Sequence, residues 1–327
     1  MIIPPGIAAL PRFGLIDGPS PLTPLRRFSA ALGGDADVWI KREDLLPLAF
    51  GGNKLRNLEF LVGAAIADGA DMLITSGRRW SNHCRLTAAA GARAGLDVQL
   101  VLTGPPPPAG QEGSNQRLEA LLGATIHVTT TDDRAERTTF VERIADQQRA
   151  AGRRPSVIDV GGTGPTGAAG QVLAGLELAD QLNEAGIGEA TVVLPSATGG
   201  THAGVVTGLG LSAPPIRTVI GIAVAAPARE LRPKIAGLLD ELAPLAGGRV
   251  PDDALVLDDD QLGPGYGVRT EAADKATELL ARTEGILVDP IYTAKALAGL
   301  VARVRTGLRG PIVFWHAGGG PGLFETI

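Results

Sequence analysis

Short apolar runs alternate with longer helix-like stretches along this chain, and that alternation limits its fold more than any other feature. Apolar runs of strand length predict strands at 38–40, 72–75, 98–102, 125–128, 157–160, 191–194, 218–222, 254–257 and 312–315. The stretches between them predict helices near 53–68, 81–95, 113–122, 133–151, 168–186, 202–211, 229–246, 270–284 and 294–306. Such a repeat is typical of an α/β fold, with parallel sheets covered by helices on both faces.

The composition excludes several classes of protein. A chain of 327 residues is long enough for two domains, and 44% apolar with 20% charged residues is typical of a globular protein. A net charge of −5, with no cluster of Lys and Arg beside aromatic residues, argues against nucleic-acid binding. No signal peptide or membrane-length apolar span is present, and the single cysteine, Cys84, has no partner for an internal disulfide. We therefore expect a cytoplasmic protein that binds neither nucleic acid nor membranes.

The first candidate for chemistry is Lys54, which follows the turn Gly51-Gly52-Asn53. The glycines allow a sharp turn and a close approach to a flat ligand, and the lysine stands at a predicted helix start. The positive end of a helix disfavours protonation of the amine, which makes Lys54 a candidate Schiff-base nucleophile. A solvated lysine after an ordinary turn is the alternative that this segment alone leaves open.

A glycine-rich turn follows the predicted strand 191–194 and opens a helix. Its sequence is Pro195-Ser196-Ala197-Thr198-Gly199-Gly200-Thr201-His202. Backbone N–H groups, hydroxyls and a helix N-terminus together can bind a phosphate. The turn has neither the closing Lys of a Walker loop nor the spacing of a dinucleotide fingerprint. An ordinary turn before a helix remains the alternative.

A third polar segment, Ser81-Asn82-His83, enters the helix after the predicted strand 72–75. Ser81 has the character of an N-cap, and the free N–H groups behind it suit a carboxylate, although a cap with no other role is equally consistent. The four histidines and one cysteine show no metal-ligand spacing, so we expect no metal site.

Both tyrosines of the chain, Tyr266 and Tyr292, lie in turn segments. Tyrosines at loop corners can direct a phenol into a pocket, which makes the pair candidates for a site. No nucleophile elbow of a serine hydrolase is present, and the acidic run 258–260 is more simply a solvated turn.

Taken in order, these segments resemble the D-cysteine desulfhydrase and 1-aminocyclopropane-1-carboxylate deaminase family. That family is a branch of the fold type II pyridoxal-phosphate enzymes, which have a tryptophan-synthase-β-like fold. The matching segments are 40–44, 51–56, 81–83, 199–204, 265–267, 284–293 and 316–319. The resemblance runs from about residue 21 to residue 324, with the motifs in the family's order and spacing.

The resemblance implies a pyridoxal 5′-phosphate site. Lys54 would carry the cofactor covalently and later take the substrate's Cα proton, and Asn82 would bond the cofactor's phenolic oxygen. The phosphate would lie against Ser196, Ala197, Thr198, Gly199, Gly200 and Thr201. Asn57 stands where the family usually has a lysine that reaches the phosphate, so it would contribute weakly.

The resemblance also implies a substrate pocket. Ser81, Asn82 and His83 would receive the substrate carboxylate, and Tyr266 and Tyr292 would position the substrate and transfer protons. Three further positions would line this pocket. Trp80 replaces a glutamine, Ala317 replaces a threonine of the desulfhydrase-like members, and Thr293 stands where cyclopropane-opening members carry a glutamate.

The implied activity is α,β-elimination from a small β-substituted amino acid, with D-cysteine as the leading case. Opening of 1-aminocyclopropane-1-carboxylate, lysis of L-cysteate, or a catalytically inactive ligand-binding relative are the alternatives. The implied architecture has a large domain formed by residues 1–55 and 163–327, a small domain of 56–162, and a cofactor in the cleft. Family members are commonly homodimers, so a homodimer is expected.

Overall fold

The computed structural model describes residues 2–33, 36–104, 112–131, 133–212, 218–251 and 254–325. These residues form two sheets, and strands from the middle of the chain build the smaller one. The strands are β1 (Leu22–Pro24), β2 (Ala36–Arg42), β3 (Met72–Arg78), β4 (Asp97–Thr103), β5 (Thr125–Thr129), β6 (Pro155–Ile158), β7 (Thr191–Ser196), β8 (Thr218–Ala223), β9 (Leu255–Asp258) and β10 (Gly310–His316).

The larger sheet has the strand order β1-β2-β10-β7-β8-β9 and the smaller sheet the order β5-β4-β3-β6. All pairs in the smaller sheet are parallel, with β3 at its centre. In the larger sheet only β1 is antiparallel, and it pairs with β2 at the edge. The parallel α/β fold predicted from the sequence is therefore confirmed, with one antiparallel edge strand added.

Eleven α-helices lie among the described residues, and most of them connect parallel strands. They are α1 (Pro5–Ala8), α2 (Arg26–Leu32), α3 (Lys54–Ala67), α4 (Asn82–Ala94), α5 (Ser114–Leu121), α6 (Arg134–Ala150), α7 (Pro165–Glu184), α8 (Gly200–Gly210), α9 (Ala228–Ala246), α10 (Glu271–Glu284) and α11 (Thr293–Arg305). Within this part of the chain, no helix combines the length and the apolar character that crossing a membrane requires.

Most predicted elements are present, and the differences have local causes. The sixth strand lies at Pro155–Ile158 rather than at 157–160, because Val160 already begins a short 3-10 helix. Helix α8 begins at Gly200, two residues before its predicted start, so the glycine-rich turn supplies the helix's first residues. Strand β1 and helices α1 and α2 have no counterpart among the elements predicted from the sequence.

Each sheet has its own apolar core. Leu55, Leu58 and Val62 of α3 pack in the cluster that contains Leu73 of β3 and Leu100 of β4. The strands of the smaller sheet all lie between residues 72 and 158, inside the predicted small domain. The predicted domain limits of 1–55 with 163–327, and 56–162, stay a prediction.

A buried ionic network fixes the start of α3 against the larger sheet. The Arg56 guanidinium donates to both oxygens of Glu43 at 2.7 and 2.8 Å and to both oxygens of Glu177 at 2.8 Å. Lys41 donates to Glu177 and, at 2.6 Å, to Gln181 Oε1. The two positive charges of this network are therefore balanced by two carboxylates. The network holds α3 in place, and Lys54 is the first residue of that helix.

Candidate active site

The turn before Lys54 has a conformation that few sequences adopt. Leu48, Ala49 and Phe50 have φ between 44° and 69°, a left-handed region that is unfavourable for residues with a side chain. Gly51 continues the turn at φ 64°, and a Cβ there would lie 2.3 Å from Asp44 O. The buried Arg85 donates to Ala49 O, which supports the strained turn from inside.

Lys54 is half-buried and has no carboxylate partner among the described residues. Its Nζ donates to Gly161 O at 2.8 Å. Desolvation by burial lowers the pKa of Lys54 to about 8. A substantial fraction of the amine is therefore neutral near physiological pH, as a nucleophile or base requires.

The glycine-rich turn lies next to Lys54. The Asn53 amide donates to Thr201 Oγ1 at 2.8 Å, which joins the lysine's turn directly to the start of α8. Thr163 Oγ1 donates to Thr198 Oγ1 at 2.6 Å, so the segment that follows Gly161 also closes on this turn. The sequence-predicted lysine and the sequence-predicted anion site are thus brought together.

The start of α8 has the features of an anion site. Gly199 has φ 94°, and a Cβ there would lie 2.6 Å from Ile235 Cγ1. The backbone N–H groups of Thr198, Gly199, Gly200 and Thr201 make no hydrogen bond to any other described residue. Free N–H groups at a helix N-terminus favour a phosphate.

The other two residues of the predicted phosphate turn lie differently. Ser196 is buried, and its hydroxyl contacts His202 Nδ1 at 3.3 Å instead of the open side of the turn. Ala197 is half-buried and packs against an apolar cluster of the larger sheet. Their predicted phosphate contacts would therefore have to come from the backbone.

Asn57 is fully buried one helical turn after Lys54. Its amide nitrogen donates to Gly162 O at 3.1 Å, and its amide oxygen accepts from Gln171 Nε2 at 2.6 Å. Gln171 Nε2 also donates to Asn53 O at 2.8 Å. Asn57 therefore belongs to a network that positions the segments around Lys54, and both ends of its amide are in use.

Ser81, Asn82 and His83 form the start of α4. Ser81 is the N-cap, and its Oγ accepts from Cys84 N at 3.2 Å. Asn82 is half-buried and faces the loop after β10, because a Cβ on Gly319 would lie 2.9 Å from Asn82 Nδ2. The cap predicted for Ser81 is confirmed, and its role toward a carboxylate stays a prediction.

The protonation state of His83 follows from its neighbours. Thr75 Oγ1 donates its hydrogen to Ile158 O at 2.7 Å, so it accepts the 3.0 Å bond that it shares with His83 Nε2. His83 Nδ1 is consequently an acceptor, and it is buried with no partner in the described structure. Desolvation, together with the nearby Lys54 charge, lowers the pKa of His83 to about 3. The imidazole is therefore neutral.

Trp80, Tyr266 and Tyr292 form one aromatic group, although they are far apart in sequence. The ring centroids are 6.0 Å apart for Trp80 and Tyr266, and 5.9 Å for the two tyrosines. The tyrosine hydroxyls are hydrogen-bonded to each other. Burial raises the pKa of both phenols, so each keeps its proton at neutral pH. Gly267 is required beside this group, because a Cβ there would lie 2.7 Å from Trp80 Cζ2.

Thr293 directly follows Tyr292, and Ala317 lies in the loop after β10. Thr293 is fully buried, and its hydroxyl bonds to the Asp289 carboxylate and accepts from Asp289 N at 3.0 Å. Asp289 Oδ1 also accepts from Tyr292 N at 2.7 Å, so this carboxylate holds the turn that carries Tyr292. The Ala317 carbonyl accepts from Asn53 N at 2.9 Å, which places the loop after β10 against the lysine's turn.

Sequence reasoning missed four residues that build this site: Gly161, Thr163, Gln171 and Asp289. The run Gly161-Gly162-Thr163-Gly164 after a strand was a detectable signal for the first two. Gln171 and Asp289 carry no signal of their own, because their importance arises from contacts with distant segments. No group of three or more His, Cys, Asp and Glu side chains in the described part of the chain could hold a metal ion.

Comparison with known proteins shows the family to which this chain belongs. A family model described as "Pyridoxal-phosphate dependent enzyme" matches residues 14–318. The chain belongs to the pyridoxal-phosphate dependent enzyme family. Curated relatives named D-cysteine desulfhydrase, from Salmonella newport (strain SL254) and Salmonella typhi, are 41% identical over 97% of this chain and 97% of their own.

Solved structures agree with this placement within the family. The crystal structure of an "ACC deaminase homologue" is 37% identical, covers 98% of this chain and 95% of its own, and has a TM-score of 0.89. A threonine deaminase from Solanum lycopersicum, with 20% identity and a TM-score of 0.64, covers 96% of this chain and 82% of its own, which supports the fold alone. This chain is thus a PLP-dependent enzyme of fold type II and a member of the D-cysteine desulfhydrase and ACC deaminase family.

The residues present fit pyridoxal phosphate. The free N–H groups at the start of α8 suit its phosphate, and Lys54 has the lowered pKa that covalent attachment of an aldehyde needs. When bound, the cofactor supplies an electron sink for the pair of electrons left at Cα after deprotonation. The protein's part is to place the substrate, take the Cα proton and exclude competing reactions.

Proposed function

We propose that this enzyme eliminates the β-substituent of a small amino acid, with D-cysteine as the leading substrate, and releases pyruvate, ammonia and hydrogen sulfide. The observation that carries the proposal is the 2.8 Å bond from the Asn53 side chain to Thr201, since it joins the turn that precedes Lys54 to the start of α8, where the free N–H groups lie. The names of the 41% identical relatives support D-cysteine as the first substrate to test.

We assign proton transfer at Cα to Lys54. Its pKa of about 8 allows the amine to take a proton at neutral pH and to return it. The amine donates to Gly161 O and contacts no carboxylate in the described structure, so no fixed negative charge holds it in the protonated form.

We assign the substrate carboxylate to the start of α4. The helix N-terminus at Ser81 favours a negative charge. The imidazole of His83 is neutral and contributes no charge of its own. The Asn82 side chain lies beside Gly319 in the loop after β10. We assign its amide to a hydrogen bond with the phenolic oxygen of the cofactor.

The tyrosine pair is assigned to the leaving group. In a hydrogen bond between two phenols, one hydroxyl donates and the other keeps a proton that it can give elsewhere. With both pKa values raised, Tyr266 and Tyr292 together hold that proton at neutral pH for a departing thiolate. Trp80 borders the same side of the pocket through its contact with Tyr266.

Ring opening of 1-aminocyclopropane-1-carboxylate is the disfavoured alternative. Thr293 carries no carboxylate, and its hydroxyl is already bonded to Asp289, so the position supplies no additional acid or base. Elimination from L-cysteate stays open within the same class, and an inactive ligand-binding relative is the alternative from another class.

The setting of the enzyme is part of the proposal. We propose that the cofactor lies between the two predicted domains, since Lys54 and the start of α8 belong to the predicted large domain and Asn82 belongs to the predicted small domain. We also propose a cytoplasmic homodimer. The cytoplasmic location is supported by a buried Cys84 with no disulfide.

A substrate screen with purified holoenzyme tests the proposal. D- and L-cysteine, D-serine, β-chloroalanine, cysteate and the cyclopropane amino acid are compared by release of 2-oxo acid. We expect release from cysteine-like substrates and poor or absent release from the cyclopropane substrate. Faster ring opening than elimination would reject the assignment of substrate class, and a protein that binds PLP but releases no 2-oxo acid would support the inactive relative.

A further inference from the structure

Two arginines, Arg79 and Arg137, have a buried Nε with no hydrogen-bond partner among the described residues. Arg79 is 4% exposed, its Nε is fully buried, and its side chain makes no hydrogen bond or ion pair with any described residue. Arg137 of α6 also has a buried Nε with no partner in the described part of the chain. A buried unpaired charge is costly, so such an arrangement is typical of a site that a ligand completes.

Arg78 and Arg79 lie at the carboxyl ends of β3 and β4. A Cβ on Gly104 would lie 3.9 Å from Arg79 Nε and 3.7 Å from Arg78 Nη1, so both side chains lie over the same residue. The Arg78 guanidinium stands 5.8 Å from the Trp80 ring. In parallel α/β sheets this edge is where ligands bind.

The cluster borders the proposed substrate pocket. Arg79 directly precedes Trp80, whose ring contacts Tyr266. Desolvation lowers the pKa of Arg137, and the positive charges of Arg134 and Arg78 lower this pKa further. Tyr266 raises the pKa of Arg137 and so opposes part of this decrease. Arg137, Arg78 and Tyr266 are therefore close enough to influence one another, and no carboxylate among the described residues compensates Arg137.

We propose that Arg79 and Arg137, with Arg78 beside them, bind a negatively charged oxyanion on the β-substituent of the amino-acid substrate, such as a sulfonate or a carboxylate. The proposal rests on the proposed elimination and extends its substrate class from cysteine to amino acids with an anionic β-substituent. A guanidinium offers paired N–H donors that match the oxygens of such a group.

The reaction of an anionic substrate balances without an additional oxidant or reductant. With cysteate, the Cα–H bond breaks and its proton goes to the Lys54 amine, its electron pair forms the Cα–Cβ double bond, and the Cβ–S bond breaks with its electron pair leaving on sulfite. Water converts the three-carbon remainder to pyruvate and ammonium. Arginines next to the leaving group favour its departure, because they stabilise the charge that it carries.

Paired substrates measure the effect of charge directly. S-carboxymethylcysteine and S-methylcysteine differ by one carboxylate, and cysteate is compared with β-chloroalanine. We expect wild-type holoenzyme to prefer the anionic member of each pair in kcat/KM. Arg79→Met and Arg137→Met should each lower kcat/KM for anionic substrates on the order of tenfold or more, and should change the neutral substrates much less.

Arg143→Met is the matched control, because it removes the same charge from an exposed position on α6. It should leave the preference unchanged. An equal loss for anionic and neutral substrates in Arg79→Met would overturn the proposal, as would a wild-type preference for neutral substituents.

Binding separates this proposal from the proposed reaction. Calorimetric titration of cysteate into holoenzyme should show weaker binding for Arg79→Met and unchanged binding for Arg143→Met. If no amino acid is turned over but this difference persists, elimination is rejected and the oxyanion site stands. If elimination occurs but cysteate binds both variants equally, the oxyanion site is rejected.

Discussion

At the scale of single residues, Lys54 differs from the buried Lys41 and Lys295 in what its amine contacts. Lys41 bonds to Glu177 and Gln181, and Lys295 donates to the carbonyls of Leu262 and Gly265. Lys54 has one carbonyl contact and a pKa lowered to about 8. Borohydride reduction of the holoenzyme followed by peptide mapping should therefore place the pyridoxyl group on Lys54. A label on Lys41 or Lys295 would contradict the assignment.

The same lysine gives a dependence on pH. Because the neutral amine attacks the cofactor aldehyde, uptake of pyridoxal phosphate by apoprotein should become faster as the pH rises through about 8. Stopped-flow absorbance over about one pH unit on each side of that value measures it. A rate that is constant across this range would contradict a lowered pKa for the Lys54 amine. The Lys54→Ala variant, which cannot attach the cofactor covalently, is the control.

At the scale of elements, the start of α8 is assigned to the cofactor phosphate. Thr201 Oγ1 accepts from Asn53, which leaves its own hydrogen for a phosphate oxygen. We expect Thr201→Val to weaken cofactor retention by about 1.5–3 kcal/mol, the range for a hydrogen bond to a charged group. Equilibrium dialysis measures the change.

Thr207 supplies the control for that substitution. It lies in the same helix, is buried, and its hydroxyl donates to Ala203 O at 2.9 Å inside the helix. Thr207→Val should leave cofactor affinity unchanged. Equal losses in the two variants would mean that the helix, and not the hydroxyl, determines retention.

Helix α3 depends on the ionic network as well as on its apolar face. Burial opposes the charge of Arg56, but Glu43 and Glu177 outweigh burial and raise the pKa of its guanidinium. Glu43→Gln removes one carboxylate from a balanced buried group, and loss of one partner of such a pair costs about 3–5 kcal/mol. Urea unfolding of the holoenzyme should show this loss.

Glu271→Gln is the comparison for the network. Glu271 forms an ion pair with Lys275 at 2.6 Å, but both side chains are largely exposed, so its removal should change stability little. If both variants lost the same stability, burial of the Glu43 network would not be the reason for its effect.

The elements also show what the sequence could and could not predict. The nine predicted strands are all present, because apolar runs in parallel sheets are continuous and easily recognised. Strand β1 was missed because it has only three residues and ends in Pro24, which lies at a sheet edge. Lys54, Ser81 and the turn at Thr198 were predicted because turns and helix starts are local signals. Gln171, Asp289 and the unpaired state of Arg79 depend on packing between distant segments, which no local pattern encodes.

At the scale of the whole molecule, the proposed cofactor site draws on both sheets. Lys54 starts a helix that packs on the core of the smaller sheet, and the anion site starts the helix after β7 of the larger sheet. A ligand held by both parts links their stabilities, since it binds only when both are folded. Cofactor binding should therefore raise the stability of both parts of the molecule together.

Calorimetry with two forms of the cofactor tests that linkage. A ligand at about a thousand times its dissociation constant adds about 4 kcal/mol to stability, so apoprotein with pyridoxal phosphate should unfold at a clearly higher temperature than apoprotein alone. Pyridoxal has the aldehyde for Lys54 but no phosphate for the N–H groups of α8, so it should stabilise much less. Hydrogen exchange should show slower exchange in β3 and β4 as well as in β7 and β8 when pyridoxal phosphate binds. Protection confined to the larger sheet, or equal stabilisation by pyridoxal, would mean that the phosphate turn and Lys54 do not act on one ligand.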